Sequence, residues 1–361
     1  MILDRYILRA ILQPTIVICT ILVCIFASFM AARYWEDAAN GLLSVGAVFT
    51  LILLRVLIAL EVLLPTTLYL SVVLALSNLH ARGEMLAMSA SGITMPRISR
   101  PVVLLAVFCG LLVGVFSLYI RPWAWTQFFL LKAQAQANFD LSRMQDGIFY
   151  ETGDGNRVIF ASSVDGRRTS AENIFVLMKQ GGGLRLVYAY EAAQYENSDH
   201  ANPVVALHQG RLYEFSDQED KNLVLEFKRA ALLLQPHNPL LPEYRVKAAP
   251  LAALHGADTE EKGLEEVAEL QWRLVTPLSC ILLAVLAIPL SLTSRRGGQQ
   301  ARLPLAILIF AVSYNLGALT KKMVAQGEIG VFPGVFWSQF FLLVCLALLL
   351  WRSARLRFRR R

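Results

Sequence analysis

The sequence predicts a polytopic α-helical membrane protein with six transmembrane helices, three before and three after an antiparallel β domain. Three observations carry that fold class. Of the 361 residues, 56% are hydrophobic and only 17% are charged, the composition of a chain dissolved in lipid rather than in water. The stretch 122–271 breaks the pattern, with 14 Lys/Arg against 21 Asp/Glu and a net charge of −7, whereas the remainder carries +14. Within that stretch, short alternating segments bounded by turn residues replace the long apolar runs.

Five runs, 10–32, 101–120, 274–293, 303–320 and 335–351, can each cross ~30 Å of hydrocarbon at about 20 residues per helix. A sixth span lies within 42–79, which is too long for one simple crossing. Counting about 20 residues back from Leu79 places its bilayer part near 59–79. Arg55 then falls outside the hydrocarbon and Glu61 at its edge, and Pro65 is positioned to kink the helix. The run 10–32 lacks a convincing cleavage site and is read as a retained first span.

The cations orient these spans. With the N-terminus inside, the inner pieces carry Arg5 and Arg9, then Arg82, Arg97 and Arg100, then Arg295, Arg296 and Arg302, and finally a tail from Arg352 to Arg361. The short outer connections carry far fewer, so both termini are expected in the cytoplasm and the β domain outside. The overall basic balance of +7 thus reflects topology rather than nucleic-acid binding, and the Arg-rich tail suits anionic inner-leaflet lipid. All five cysteines, Cys19, Cys24, Cys109, Cys280 and Cys345, fall in expected spans, which leaves the outer domain without a disulfide.

In the central stretch, segments 147–151 and 157–162 flank Thr-Gly-Asp-Gly-Asn, a hairpin signal. Segments 173–180 and 184–190 flank three glycines, and 204–208, 211–215 and 222–234 follow. About eight strands in one antiparallel meander or roll fit this spacing. Residues 127–140 read as a helix leading in, and 260–272 as an acidic helix leading back. Phe149, Phe160, Phe175 and Phe227 stud the strands; they suit either a sandwich core or an apolar groove for acyl chains.

The chain shows no Walker A loop, no His-Glu-x-x-His and no Gly-x-Ser-x-Gly. Its five histidines lack metal spacing. Carboxylates are nearly missing from the expected spans, which argues against a proton- or sodium-driven relay. Energy for uphill transport is then expected from a partner.

Three segments resemble one family: Asp4-Arg5-Tyr6-Ile7-Leu8-Arg9; residues 79–93, Leu-His-Ala-Arg-Gly-Glu-Met-Leu-Ala-Met-Ser-Ala-Ser-Gly-Ile; and Glu269-Leu270-Gln271-Trp272-Arg273-Leu274 running on to Ala287-Ile288-Pro289-Leu290. The pattern resembles the LptF/LptG permeases of lipopolysaccharide export, most like the LptF branch, and covers essentially the whole chain. After the fourth span, Ser294-Arg295-Arg296-Gly297-Gly298-Gln299 stands where LptF often has Asn-Pro-Arg-x-Gly-Arg.

The resemblance implies domains at 1–121, 122–271 and 272–361, the middle one a periplasmic β-jellyroll and the others the paired triplets of spans in a bacterial inner membrane. It implies a heterodimer of LptF and LptG above an LptB ATPase dimer that uses ATP and magnesium, while this chain binds no cofactor and has no ATPase site of its own. Lipopolysaccharide would leave the outer leaflet of the inner membrane and pass through the jellyroll to LptC and the bridge beyond. Glu84 matches the acidic residue of the family's cytoplasmic coupling helix, expected near 80–98; Met85, Met88 and Gly92 at i, i+3, i+7 would share one docking face, the alternative being a surface helix lying on the membrane. Arg33 and Lys321 match basic residues at the outer ends of the first and fifth spans, where lipid A phosphates would lie. Arg55 and Lys322 join them by depth alone. Arg forks two hydrogen bonds to phosphate and Lys supplies a point charge, whereas snorkelling to ordinary phospholipid is the plainer role. Arg121, Arg273 and Trp272 are expected to anchor the domain junctions. Two further functions share this build: a non-transporting envelope scaffold, and a permease for another lipid or a lipoprotein.

Overall fold

The computed structural model describes residues 2–39, 45–137, 146–151, 157–165, 170–180, 183–195, 204–216, 223–233, 246–254, 261–292 and 302–358. Among these, six helical stretches are long and apolar enough to cross a membrane: Ile2–Trp35, Val45–Ala81, Met95–Lys132, Gly263–Ser291, Arg302–Ala325 and Gly334–Arg352. Most run past the apolar segment that announces them, and Gly263–Ser291 does so on its N-terminal side, because flanking polar residues continue the helix beyond the hydrocarbon length. The helices are α1 (Ile2–Ala39), α2 (Val45–Ala81), α3 (Glu84–Ala90), α4 (Met95–Val115), α5 (Arg121–Ala137), α6 (Leu251–Leu254), α7 (Glu261–Leu292), α8 (Arg302–Ala325) and α9 (Trp337–Phe358). A π-helical turn, Phe116–Ile120, joins α4 to α5.

The chain divides into two compact units, residues 1–31, 52–128 and 244–361 in one, and 32–51 and 129–243 in the other. The first is built on apolar packing. Ile7 and Ile11 of α1, Leu68, Val72 and Leu76 of α2, Val102 and Val113 of α4, and Leu283 and Leu286 of α7 are all buried in one cluster. Small residues let the helices approach closely: a Cβ at Gly110 would sit 2.6 Å from Ile281 Cγ1. The outward faces remain apolar, with Phe29, Leu104, Phe108, Leu111 and Leu308 exposed, as a lipid-facing surface requires.

The second unit contains a six-stranded antiparallel meander, β1 (Phe149–Glu151), β2 (Arg157–Val164), β3 (Ser170–Gln180), β4 (Gly183–Tyr195), β5 (Val204–Ser216) and β6 (Leu223–Leu233), each paired with the next. It is the jellyroll-like sheet between the two triplets of helices. The separate segments expected at 204–208 and 211–215 are one strand, β5, whose pairing with β4 and β6 continues across residues 209 and 210.

The sheet's side-chain alternation slips once. On β2 the buried Ile159 and Ala161 are two apart and the next inward residue, Val164, is three further on; on β3 the inward set is Val176, Ile174 and Ala171, and on β4 Val187, Ala189 and Ala192. Residues with positive φ mark the slip on two strands, Asn173 at 51° and Gln209 at 49°. A left-handed residue rotates the strand without shifting its register, so one face stays inward on both sides of the break. Beside it, Gly210 is indispensable as a glycine: an added Cβ would strike the Tyr188 carbonyl oxygen and the Phe227 ring.

Candidate functional site

The segment between the second and third spans begins where α2 stops at Ala81 and ends where α4 starts at Met95. Only Glu84–Ala90 between them is helical, not the whole of 80–98, because Gly83 (φ 76°) and Gly92 (φ 85°) turn the chain at either side. Gly92 therefore lies outside the helix, and the single face drawn through Met85, Met88 and Gly92 does not form. Met85 is buried and Met88 packs against the same helical core, whereas Leu86 is 64% exposed. The apolar side chain offered outward by α3 is thus Leu86. Glu84 is held from below: the Tyr6 hydroxyl donates to its Oε2 at 2.6 Å, and Arg97 pairs with Asp4 at 3.3 Å. Two of the motif segments meet at this point.

The third motif organises the opposite end of the helices. Glu269, on α7, is almost fully buried. Its Oε1 accepts from Arg121 Nη1 at 2.7 Å and from Arg273 Nε, one turn along, at 3.1 Å. Its Oε2 accepts from the Lys321 ammonium on α8. Arg121 Nε also reaches Glu61 Oε2 on α2 at 2.9 Å, and Ser117, in the π turn, donates to Glu61 Oε1 at 2.7 Å. Arg273 completes its fork on backbone carbonyls, Ala249 at 2.9 Å and Lys247 at 3.2 Å. Five ionised groups from four spanning helices thus share one cluster, three cations against two carboxylates.

The rest of the motif is equally occupied. Gln271 Nε2 donates to the Val331 carbonyl at 2.7 Å, and its Oε1 accepts from the Val335 amide at 3.0 Å. Trp272 packs edge-on to Tyr314 at 5.8 Å and lies 5.2 Å from the Lys321 ammonium. A cavity of about 50 Å³ beside the cluster is lined by Glu61, Trp272, Ser279, Ser313 and Tyr314 among others.

The burial of Glu61 and Glu269 corrects the expectation of spans almost without carboxylates. Desolvated charge survives here because each carboxylate meets a guanidinium. For the same reason Arg121 and Arg273 are internal to the bundle rather than anchors at its surface. Of the four cations expected at the headgroup, Lys321 is the one in the cluster. Arg55 lies 4.2 Å over Phe128 and 4.9 Å over Trp125, a cation–π geometry. Arg33 and Lys322 are exposed.

On the sheet, Phe149, Phe160 and Phe175 fall in one register row that continues to Tyr188, Arg211 and Glu226. Phe149 stacks on Phe160 with ring centroids 4.4 Å apart. Phe227 belongs to a neighbouring row, opposite Gly210. A groove of about 750 Å³ gathers Phe175, Tyr188, Tyr213 and Phe227 with Arg211 and Lys228. Arg211 pairs with Glu226 at 2.6 Å; the Tyr213 hydroxyl and then Glu226 hold its pKa above the ordinary arginine value.

Comparison with known proteins decides the family. Residues 5–353 match the family "Lipopolysaccharide export system permease LptF/LptG". The chain belongs to this family. Its relatives include the lipopolysaccharide export system permease protein LptF of Escherichia coli K12, 23% identical over 329 residues, covering 91% of this chain and 89% of the relative. The proteins of the same name from E. coli O157:H7 and Shigella flexneri are similar to the same degree. As a member of the LptF/LptG permeases with six membrane-spanning helices, the protein is a multi-pass inner-membrane permease subunit, most like LptF.

The ion cluster is what the sequence left hidden. Its one local trace is the Glu269–Arg273 spacing of four on a helix, and the buried partners Glu61 and Arg121 stand 60 residues apart in the chain.

Proposed function

We propose that this permease works as one half of an ATP-driven extractor, paired with an LptG-type permease above an LptB-type ATPase dimer that supplies ATP and magnesium chemistry. Lipopolysaccharide enters from the outer leaflet, its lipid A phosphates meet Arg33 and Lys321, with Arg55 and Lys322 joining by depth alone, and its acyl chains pass over the aromatic face of a periplasmic jellyroll to an LptC-type partner. Both termini lie in the cytoplasm, where Glu84 and its helix, with Met85 and Met88 as the internal support and Gly92 as the exit turn, engage the ATPase.

The observation that supports this most is the continuity of the family match over both triplets of spans and the sheet between them. Two features of the fold agree with it: a short helix presenting Leu86 between spans two and three, and an aromatic row on the central sheet. The test is reconstitution of the chain with its partner permease and ATPase in proteoliposomes containing lipopolysaccharide. ATP-dependent release of lipopolysaccharide to an acceptor, reduced by Glu84→Arg without loss of membrane insertion, is expected. Release that persists without the ATPase, or with a phospholipid in place of lipopolysaccharide, would overturn the reading.

A further inference from the structure

The cluster carries one cation more than its carboxylates can neutralise, and the surplus lies at its accessible end. Arg273 and Arg121 side chains are 0% and 8% exposed, and Glu269 1%, whereas the Lys321 side chain is 22% exposed. Glu269 divides its oxygens accordingly, Oε1 to the two guanidiniums and Oε2 to Lys321. If Lys321 withdraws, Glu61, Glu269, Arg121 and Arg273 remain as a balanced set of two anions and two cations. The inner charges then keep their partners, so the exchange leaves no bare charge in the bundle. The lysine has a flexible stem, and the Trp272 face 5.2 Å from its ammonium gives it a second resting place near the surface.

We infer that Glu269 is an internal substitute for a lipid phosphate: it holds Lys321 and yields it to a phosphomonoester on the incoming headgroup. Headgroup capture is then an exchange of one anion for another. Glu269 acts as a positioning residue, setting how tightly a phosphate must bind to win the lysine. This rests on the reading of Lys321 as a headgroup cation and adds the group that competes for it.

The test uses the full chain assembled with its partner subunits in phosphatidylethanolamine nanodiscs, titrated separately with bisphosphorylated lipid A and with phosphatidylglycerol. Glu269→Asp keeps a carboxylate in the cluster but draws both its oxygens back by one methylene, and Lys321, at the accessible end, is the partner best placed to leave. The substitution is expected to tighten lipid A binding roughly tenfold, the worth of one charge-assisted contact no longer contested. Adding Lys321→Gln to that variant should remove the gain, which loss of packing alone would not produce. In the unsubstituted complex, infrared difference spectra on adding lipid A should show one carboxylate stretch shifting, and Lys321→Gln should remove that shift, so the inference stays testable if Glu269→Asp fails to assemble. A Glu269→Asp chain that assembles with unchanged lipid A affinity, while Lys321→Gln weakens it, overturns the exchange and leaves the headgroup reading standing. Lys321→Gln without effect on lipid A binding overturns both. An equal gain for phosphatidylglycerol overturns the phosphomonoester as the exchanging anion.

Discussion

The spanning helices and the central sheet handle charge in opposite ways. In the helices, Arg121, Arg273, Glu61 and Glu269 are buried and each has partners on other elements. On the sheet, the Arg185–Glu214 side chains are 39% and 41% exposed, and those of Arg211–Glu226 58% and 68%. The distances are alike, 2.7 Å for Arg121–Glu269 and 2.9 Å for Arg185–Glu214. Geometry alone therefore does not decide what an ion pair does. Burial makes the four inner charges of the helical cluster depend on one another, whereas the sheet pairs can open into solvent at little cost.

The largest expected effect comes from removing a buried guanidinium. Arg121→Gln leaves Glu61 without its cation and takes one of three cations from Glu269, and should cost about 3–5 kcal/mol. It should lower the thermal transition of the detergent-solubilised chain by far more than any sheet pair does. A transition within 1–2 °C of the parent would mean that the cluster is not needed for stability.

Backbone crowding sharpens the contrast next. Gly210→Ala drives a methyl into the Tyr188 carbonyl oxygen, a backbone atom held by the sheet. The expected loss is about 1–3 kcal/mol, readable as protease sensitivity of the central region. Gly110→Ala meets the Ile281 side chain first, which can rotate away, so the loss should be smaller, roughly 1 kcal/mol or less. Equal destabilisation by the two alanines would show that the α4–α7 contact is as unyielding as the sheet.

Arg185→Gln completes the order. A partly exposed surface pair contributes roughly 0.2–1 kcal/mol and is screened by salt. Raising ionic strength to 1 M should erase the difference between parent and variant here while leaving the Arg121→Gln difference in place. Salt that erased both would place the helical cluster in contact with solvent.

The sequence made the spans legible because hydropathy acts residue by residue, so 274–293 and 335–351 can be located without knowing their neighbours. Strands β2, β3 and β4 were legible for the same reason, through alternation and the glycines between them. What stayed hidden depends on pairs distant in the chain. Arg121 next to Glu61 or Glu269 is invisible until three spanning helices are folded together, and the charged residues at the junctions therefore looked like interfacial anchors. The expected division of 204–216 into two segments falls at Gln209 and Gly210; pairing on both sides carries the strand through them. On α3, Met85 and Met88 gave a helical stripe of two, but the stripe faces the core. Gly92 joined it only because the helix was expected to continue past Ala90.

The meander has a consequence for how the protein is made. Every strand pairs with its immediate successor, so the sheet needs only short loops to close and can form while later residues are still being synthesised. The contact between Arg121 and Glu269 spans 148 residues and must wait until α7 has arrived. Until then Arg121 is a cation within the third spanning helix, with Glu61 as its carboxylate partner. Closure of the cluster thus requires that the fourth span stand beside the third.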